Sequence, residues 1–387
     1  MNTETRDNRA ILELIKANIR SYIMIIALIV LWLIFGILTK GVFLRPRNLS
    51  NLFRQMATTG IIAVGMTTVI ICGYMDLSIG SVAGATSALV AVMVSEHGFS
   101  PIVAILAALV FGLLIGAFEG FWTAYMGVPA FIATLGGQLI FRGATLFITR
   151  SKSIKVNNPD IIFIGQGYVP LLMGVILAVA AALILVILEI RGRASKKKYG
   201  LMVPPASRSG LKLVVMTGLI TVFMVLMYVY KGIPIALLIL LALAMIVDFA
   251  LTSTKYGNSE YAIGGNAQAA RLSGINDKKI AFISFLLLGV TGAITGIVLT
   301  GRLASGTPST GTGLELDAIA ACVIGGVSLS GGKGRVWGAL VGALVMASIA
   351  NGMSLLSLQT YLQDWINGMV LIIAVFIDVV SSRVLSE

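Results

Sequence analysis

The chain has 387 residues, of which 58% are apolar and 11% charged, whereas a soluble globular domain carries about 25% charged residues, so an ordinary soluble fold is excluded. The net charge of +12 does not point to nucleic acid, because the basic residues sit in loops between apolar runs with no aromatic or zinc module beside them. One His and two well-separated Cys leave neither a disulfide scaffold nor a metal centre to build, and Cys72 and Cys322 read as small core residues in apolar surroundings.

A bilayer core of ~30 Å takes ~20 mostly apolar residues per helix. The expected fold is therefore all-α: a polytopic transmembrane helical bundle of about 10–12 spans, multi-pass in a cell inner (cytoplasmic) membrane and in contact with its lipid. Residues 1–21 are expected to be a cytoplasmic N-terminal segment, and residues 22–387 a single membrane domain. The first apolar run, Tyr22 to Thr39, is too long for a signal-peptide core and is followed by no small-residue cleavage site, so it is expected to stay as the first span. Spans then follow near residues 53–73, 76–95, 101–125, 129–149, 169–190, 211–230 and 233–252, and later near 280–300, 314–330, 335–356 and 364–380. The stretch 314–330 is short and punctuated by Gly, which suits a re-entrant or broken helix lining a cavity.

Orientation comes from residues 191–212, which hold seven Lys or Arg and no acid and belong in the cytoplasm. Counting spans puts the N-terminus and the polar stretch 253–279 on the same side. Lys40, Arg45 and Arg47 after the first span, and Arg150, Lys152 and Lys155 after the fifth, pull the other way but are less dense. The runs Gly112, Gly116, Gly120 and Gly334, Gly338, Gly342 recur every four residues and are expected to mark close helix contacts. His97 falls in a short loop and reads as a solvated turn residue.

A charge at a helix centre costs ~2.5–3.5 kcal/mol on insertion scales, so Asp76, Glu119, Arg142, Glu315 and Asp317 each need a reason. Asp76 opens DLSIGSVAG, where it suits a helix cap as well as a place on a pathway. Glu315 and Asp317, in GTGLELDAIAACVIGG, could reach a central cavity through the broken helix. Glu119 and Arg142, on successive spans, are expected to form a buried ion pair rather than a proton relay. Nothing supplies a nucleophile with its base, so the chain reads as non-catalytic and without cofactor. LSGGK at residues 329–333 looks like a nucleotide-contacting signature but has no phosphate loop: Val327 stands five before Gly332, and Gly334 follows Lys333. It reads as a cytoplasmic Gly-rich turn.

The most informative stretch is YAIGGNAQAARLSGI within residues 253–279. Gly264 and Gly265 give a flexible entry, Asn266 is a helix cap, Ala269, Ala270, Arg271 and Leu272 belong to a strong helix-forming run, and Gly274 stops it. A surface helix of about two turns is too short to stand alone in water; it is either a solvated loop helix or docks on something. This stretch resembles the cytoplasmic coupling segment of the permeases of ATP-binding-cassette sugar importers. ELDAIAACVIGGVSLSGGKG, MDLSIGSVAG and the C-terminal AVFIDVV resemble the same family over nearly the whole chain.

The resemblance implies a permease subunit that translocates monosaccharides such as xylose, arabinose or galactose. It also implies partners: a separate ATPase subunit, a periplasmic or lipid-tethered sugar-binding protein, and a second permease copy in a homodimer or heterodimer. It places the segment from Asn266 to Gly274 in a cleft of the ATPase. An inserted hairpin at about residues 169–230, together with FLRPRNLSNL, EGFWTAY and YKGIP, resembles the xylose and multiple-monosaccharide permeases and leans toward the latter. The competing classes are an ion-coupled secondary transporter, which would need no docking helix, and a channel, for which no selectivity filter is recognisable.

Overall fold

A computed structural model describes residues 24–201, 203 and 205–384, with side chains described to residue 380; the expected cytoplasmic segment 1–21 lies outside them. The protein is an all-α bundle with one antiparallel ladder of two residues per strand, β1 (Ile154–Lys155) on β2 (Ser305–Gly306). Helix α1 occupies Met24–Leu38 within the described residues. In chain order there follow α2 (Pro46–Ile71), α3 (Ile79–Ser95), α4 (Pro101–Gly120, continued as a π turn Phe121–Tyr125), α5 (Ala130–Thr149) and α6 (Pro159–Gln166). Next come α7 (Leu171–Lys198), α8 (Ala206–Tyr228), α9 (Ile235–Ser253), α10 (Lys255–Gly265) and α11 (Ala267–Leu272). The chain closes with α12 (Asp277–Leu303), α13 (Leu314–Ile324), α14 (Val336–Leu355) and α15 (Thr360–Val384).

Proline sets many of the helix starts. Pro46, Pro101 and Pro159 occupy the first helical position, while Pro129, Pro170, Pro205 and Pro234 occupy the cap before it. There the missing N–H costs nothing and the fixed φ already suits a helix. Among the described residues nine helices are long and apolar enough to cross a membrane, and α1 and α3 are shorter apolar helices. The chain is thus a multi-pass membrane protein.

The helix directions follow from the packing. Val169 N–H donates to the Ile233 carbonyl at 2.9 Å, which brings the start of α7, the end of α8 and the start of α9 to one end of the bundle. The far end of α7, with its basic residues 191–212, therefore shares the opposite end with α10 and α11, as span counting expects. The charge of that end fits the cytoplasmic side.

Two helices are broken, where the sequence suggests one. Gly292 of α12 lies against Ile79 and Val82 of α3, and Gly296 against Ala83 and Thr86. Residue 292 stands about 22 Å into α12 at 1.5 Å per residue, so α3 begins halfway through the membrane. Residues 72–78 carry the chain to that depth without helix, and the expected full span at 76–95 is corrected to a half-span. The break is short and α3 itself is apolar, which is why hydropathy passes over it. Helix α13 mirrors this arrangement. The Cys322 thiol lies 3.3 Å from the Ala63 carbonyl in the middle third of α2, and Gly332 N–H donates to Ile71 O at the cytoplasmic end of α2 at 2.8 Å. Residues 304–313 descend from the outer end, and α13 runs on from mid-membrane to the cytoplasmic side. The succession α2–α5 is thus repeated by α12–α15 with reversed sense, the inverted relation common in transporters.

Close packing is built on small residues. Gly112 of α4 lies on the Gly289 carbonyl of α12, Gly116 on the Phe285 carbonyl, Gly338 on the Gly325 carbonyl and Gly342 on the Ala321 carbonyl. A side chain at either Gly112 or Gly289 would strike backbone, so this crossing can exist only with Gly at both places. Gly334 departs from the expected helical run: it lies in the turn before α14, against Val327. Cys72 and Cys322 are both buried and free, and His97 is exposed in a loop. Helices α7 and α8 pack chiefly on each other and stay largely outside the bundle, pinned where Tyr228 donates to the carbonyls of Val169 and Pro170 at 3.0 and 3.1 Å.

Candidate functional site

Two regions gather the candidate residues. The first is the cytoplasmic stretch after α9. Thr254 caps α10, accepting the Gly257 N–H. Asn266 then leaves helical geometry and accepts the Ala269 N–H at 2.9 Å, which starts α11. Gly274, at φ +81°, ends it, and Asn276 caps α12 by accepting the Lys279 N–H at 3.0 Å. Two caps and a left-handed Gly thus hold a helix of six residues that propensity alone would not.

The eight expected coupling residues divide. Gly265, Asn266, Ala269, Arg271, Leu272 and Gly274 face outward, and Leu272 is 84% exposed. Ala270 points inward against Cys72, Ala124 and Ala281. Gly264 lies on the Ile71 carbonyl and the Gly332 amide, so it anchors the segment. Arg271 pairs with Asp277, with Nη2–Oδ2 at 2.6 Å, which ties α11 to the first turn of α12. A cavity of about 410 Å³ opens beside α11, lined by Tyr74, Tyr125, Val128, Arg271 and Lys278.

The LSGGK turn lies against this segment. Tyr261 donates to the Gly334 carbonyl at 2.8 Å, and the Leu329 N–H donates to Asp378 Oδ2 at 3.2 Å. Two stretches that carry the family resemblance, LSGGK and AVFIDVV, therefore meet at the root of the cytoplasmic segment.

The second region lies mid-membrane, where the starts of α3 and α13 face each other. Asp76 is 1% exposed and closes the turn that leads into α3: its Oδ1 accepts the N–H of the N-cap residue Ser78 at 2.6 Å and the Ser78 hydroxyl at 2.8 Å. Glu315 lies against Gly80 at the start of α3 and accepts from Gln138 Nε2 at 3.1 Å. The expected ion pair between Glu119 and Arg142 does not form. The Glu119 carboxyl lies beside Asp76 and Gly137, while Arg142 donates to Thr312 Oγ1 at 2.7 Å. Neighbouring spans need not present their charges to each other, because the helix rotation is set by the Gly contacts of α4 with α12.

Asp317, unlike Asp76, lines open space. It borders a cavity of about 280 Å³ with Gln55, Thr58, Thr59, Arg302 and Gln363, and another of about 250 Å³ with Thr312, Asp364 and Asn367. Gln55, Gln138, Arg302 and Thr312 were not legible as candidates: three carry no charge, and Arg302 falls just past the apolar run of its span. Polar side chains lining a membrane cavity are suited to a hydroxylated solute.

On the opposite end of the bundle Arg45, Arg47, Asn48, Arg54 and Tyr230 line a cavity of about 470 Å³. Lys231 stands over the rings of Tyr168 and Tyr230 at 5.8 and 5.7 Å.

Residues 48–375 match the family described as branched-chain amino acid transport system / permease component. The chain is 42% identical to the xylose transport system permease protein of Haemophilus influenzae over 366 residues, covering 95% of this chain and 98% of that one. It is 41% identical to the protein of the same description from Escherichia coli over 370 residues, covering 95% and 93%. The ribose import permease protein of Escherichia coli is 33% identical over 381 residues, covering 98% and 99%. No solved structure matches.

Proposed function

Because the chain belongs to the family described as branched-chain amino acid transport system / permease component, we propose that it is the membrane subunit of an ATP-binding-cassette importer for a monosaccharide. Xylose is the first candidate, and arabinose and galactose follow. The observation that carries this reading is 42% identity to a xylose permease across 95% of the chain. That identity favours the xylose side of the resemblance to xylose and multiple-monosaccharide permeases.

In this reading residues 253–279 are the coupling segment. Ala269, Arg271 and Leu272 form the contact face for a separate ATPase subunit, while Gly264 and Ala270 hold the segment to the bundle. Exposed Leu272 supports this, since an apolar side chain at the tip of a short capped helix gains by being covered. Asp317 lines the sugar pathway, and Asp76 and Glu315 hold the two half-helix ends that frame it. The outward-facing polar cleft of Thr312, Asp317 and Asp364 would be costly against lipid. A second copy of the chain, enclosing an aqueous path between the two, removes that cost. The basic outer end, including Arg45, Arg47, Arg54 and Lys231, departs from the positive-inside rule and suits an acidic surface on a sugar-binding protein.

Affinity capture of the chain from membranes tests the assembly: a bound ATPase subunit is expected. Sugar uptake without any ATPase, driven by an ion gradient, would replace this reading with a secondary transporter.

A further inference from the structure

Helix α10, which leads into the coupling face, contains an acid that the function described so far leaves unused. Glu260 is 0% exposed. Its Oε1 accepts the Ser284 hydroxyl of α12 at 2.8 Å and the Tyr256 hydroxyl, one turn earlier on α10, at 3.0 Å. Its Oε2 is buried and has no hydrogen-bond partner. The groups facing it are Tyr256 and Tyr261 from α10, Ser284 from α12 and Cys72 from the end of α2. None of these is a cation. Of these groups, Tyr261 is reached by Asp248 of α9 and Arg335 before α14, and Cys72 by Asp277 of α12, itself paired with Arg271. An unpaired carboxylate in such a site is costly, whereas a protonated acid is tolerated.

We propose that Glu260 is the positioning residue that fastens the coupling segment to α12, and that the fastening holds while Glu260 carries its proton. The proposal rests on reading residues 253–279 as the coupling segment, but the fastening itself belongs to this chain alone. Burial raises the carboxyl from its ordinary 4.5 to about 8. The docked form therefore holds the proton that a detached form would release. Its advantage is complete below about pH 4.5, shrinks about tenfold per pH unit as pH rises through the interval, and is lost above about 8.

Hydrogen exchange of the α10 and α11 amides, on the full chain in lipid nanodiscs between pH 5 and 9, tests this. Glu260→Gln cannot ionise and serves as the reference that cancels the pH dependence of exchange chemistry. Wild-type protection relative to that reference should fall about tenfold per unit up to about pH 8 and then level off. Ser284→Ala, which leaves the acid in place, should lower protection at every pH. Parallel curves for wild type and Glu260→Gln, or unchanged protection in Ser284→Ala, would overturn the proposal. In the reconstituted importer, uptake per ATP hydrolysed should fall in wild type as pH rises toward 8 and level off above it, and should stay flat in Glu260→Gln. If the exchange step appears and the transport step does not, the fastening stands and the coupling assignment fails.

Discussion

Replacing Leu272 by Ala removes the most exposed apolar side chain of α11 without touching the fold. The side chain is 84% exposed, so stability should change by no more than about 0.5 kcal/mol, as for other surface substitutions. If an ATPase cleft covers Leu272, the truncation forfeits most of a buried Leu side chain, about 1.5–2.5 kcal/mol, or roughly 10–70-fold in Kd. Binding of the ATPase subunit to nanodisc-held permease, measured by biolayer interferometry beside a thermal melt, reads both quantities. Ala270→Trp is the contrasting variant. It drives a large ring into the cluster of Cys72, Ala124 and Ala281 and should lower the melting temperature. Unchanged ATPase affinity for Leu272→Ala, with an unchanged melt, would refute the assignment of the α11 face.

Arg271→Glu together with Ala269→Trp should leave membrane insertion intact and abolish ATPase capture in a pull-down, the lost Arg271–Asp277 pair itself being worth only about 0–1 kcal/mol at an exposed site. A Cys placed at Ser195, with Cys72 and Cys322 replaced by Ala, should react with an impermeant maleimide only after lysis, and labelling in intact spheroplasts would reverse the topology. Asp317→Ala should lower labelled xylose uptake while ATP hydrolysis persists in the reconstituted complex. Glu315→Ala should also destabilise, since it leaves the Gln138 amide without its partner at a cost of about 1–3 kcal/mol, read by thermal melt. Gly112→Ala forces a Cβ against the Gly289 carbonyl and should cost about 1–3 kcal/mol, seen as reduced yield and melting temperature.

What the sequence makes legible here is what short-range chemistry decides. Asn266 and Gly274 bound α11 as their cap and stop roles require, and Asp76 sits in the turn just ahead of α3, where it binds the N-cap residue Ser78. What escapes it depends on depth or rotation. The break before α3 is hidden because residues 76–95 stay apolar whether the helix begins at the surface or at mid-membrane. Glu119 and Arg142 look paired on adjacent spans, but the Gly contacts between α4 and α12 turn Glu119 toward Asp76. Gly334 keeps the spacing of Gly338 and Gly342 and still lies off the helix, because the turn that precedes α14 is shaped by contacts with Val327 and Tyr261. Glu260 sits in plain view within a polar stretch, and only tertiary packing shows that it is buried. Gln55 and Gln138 carry no charge to draw attention, yet one lines a cavity and the other anchors Glu315.

The most direct test of the central claim is sugar accumulation by the purified chain in sealed lipid vesicles, alone and with an ATPase subunit and a xylose-loaded binding protein. The chain alone should neither hydrolyse ATP nor accumulate xylose under any imposed ion gradient, since its sequence has no phosphate loop and Asp76 is engaged by Ser78 in the turn before α3. With both partners and ATP, labelled xylose should accumulate and ATP should be consumed. Accumulation by the lone chain in response to a proton gradient would contradict the account.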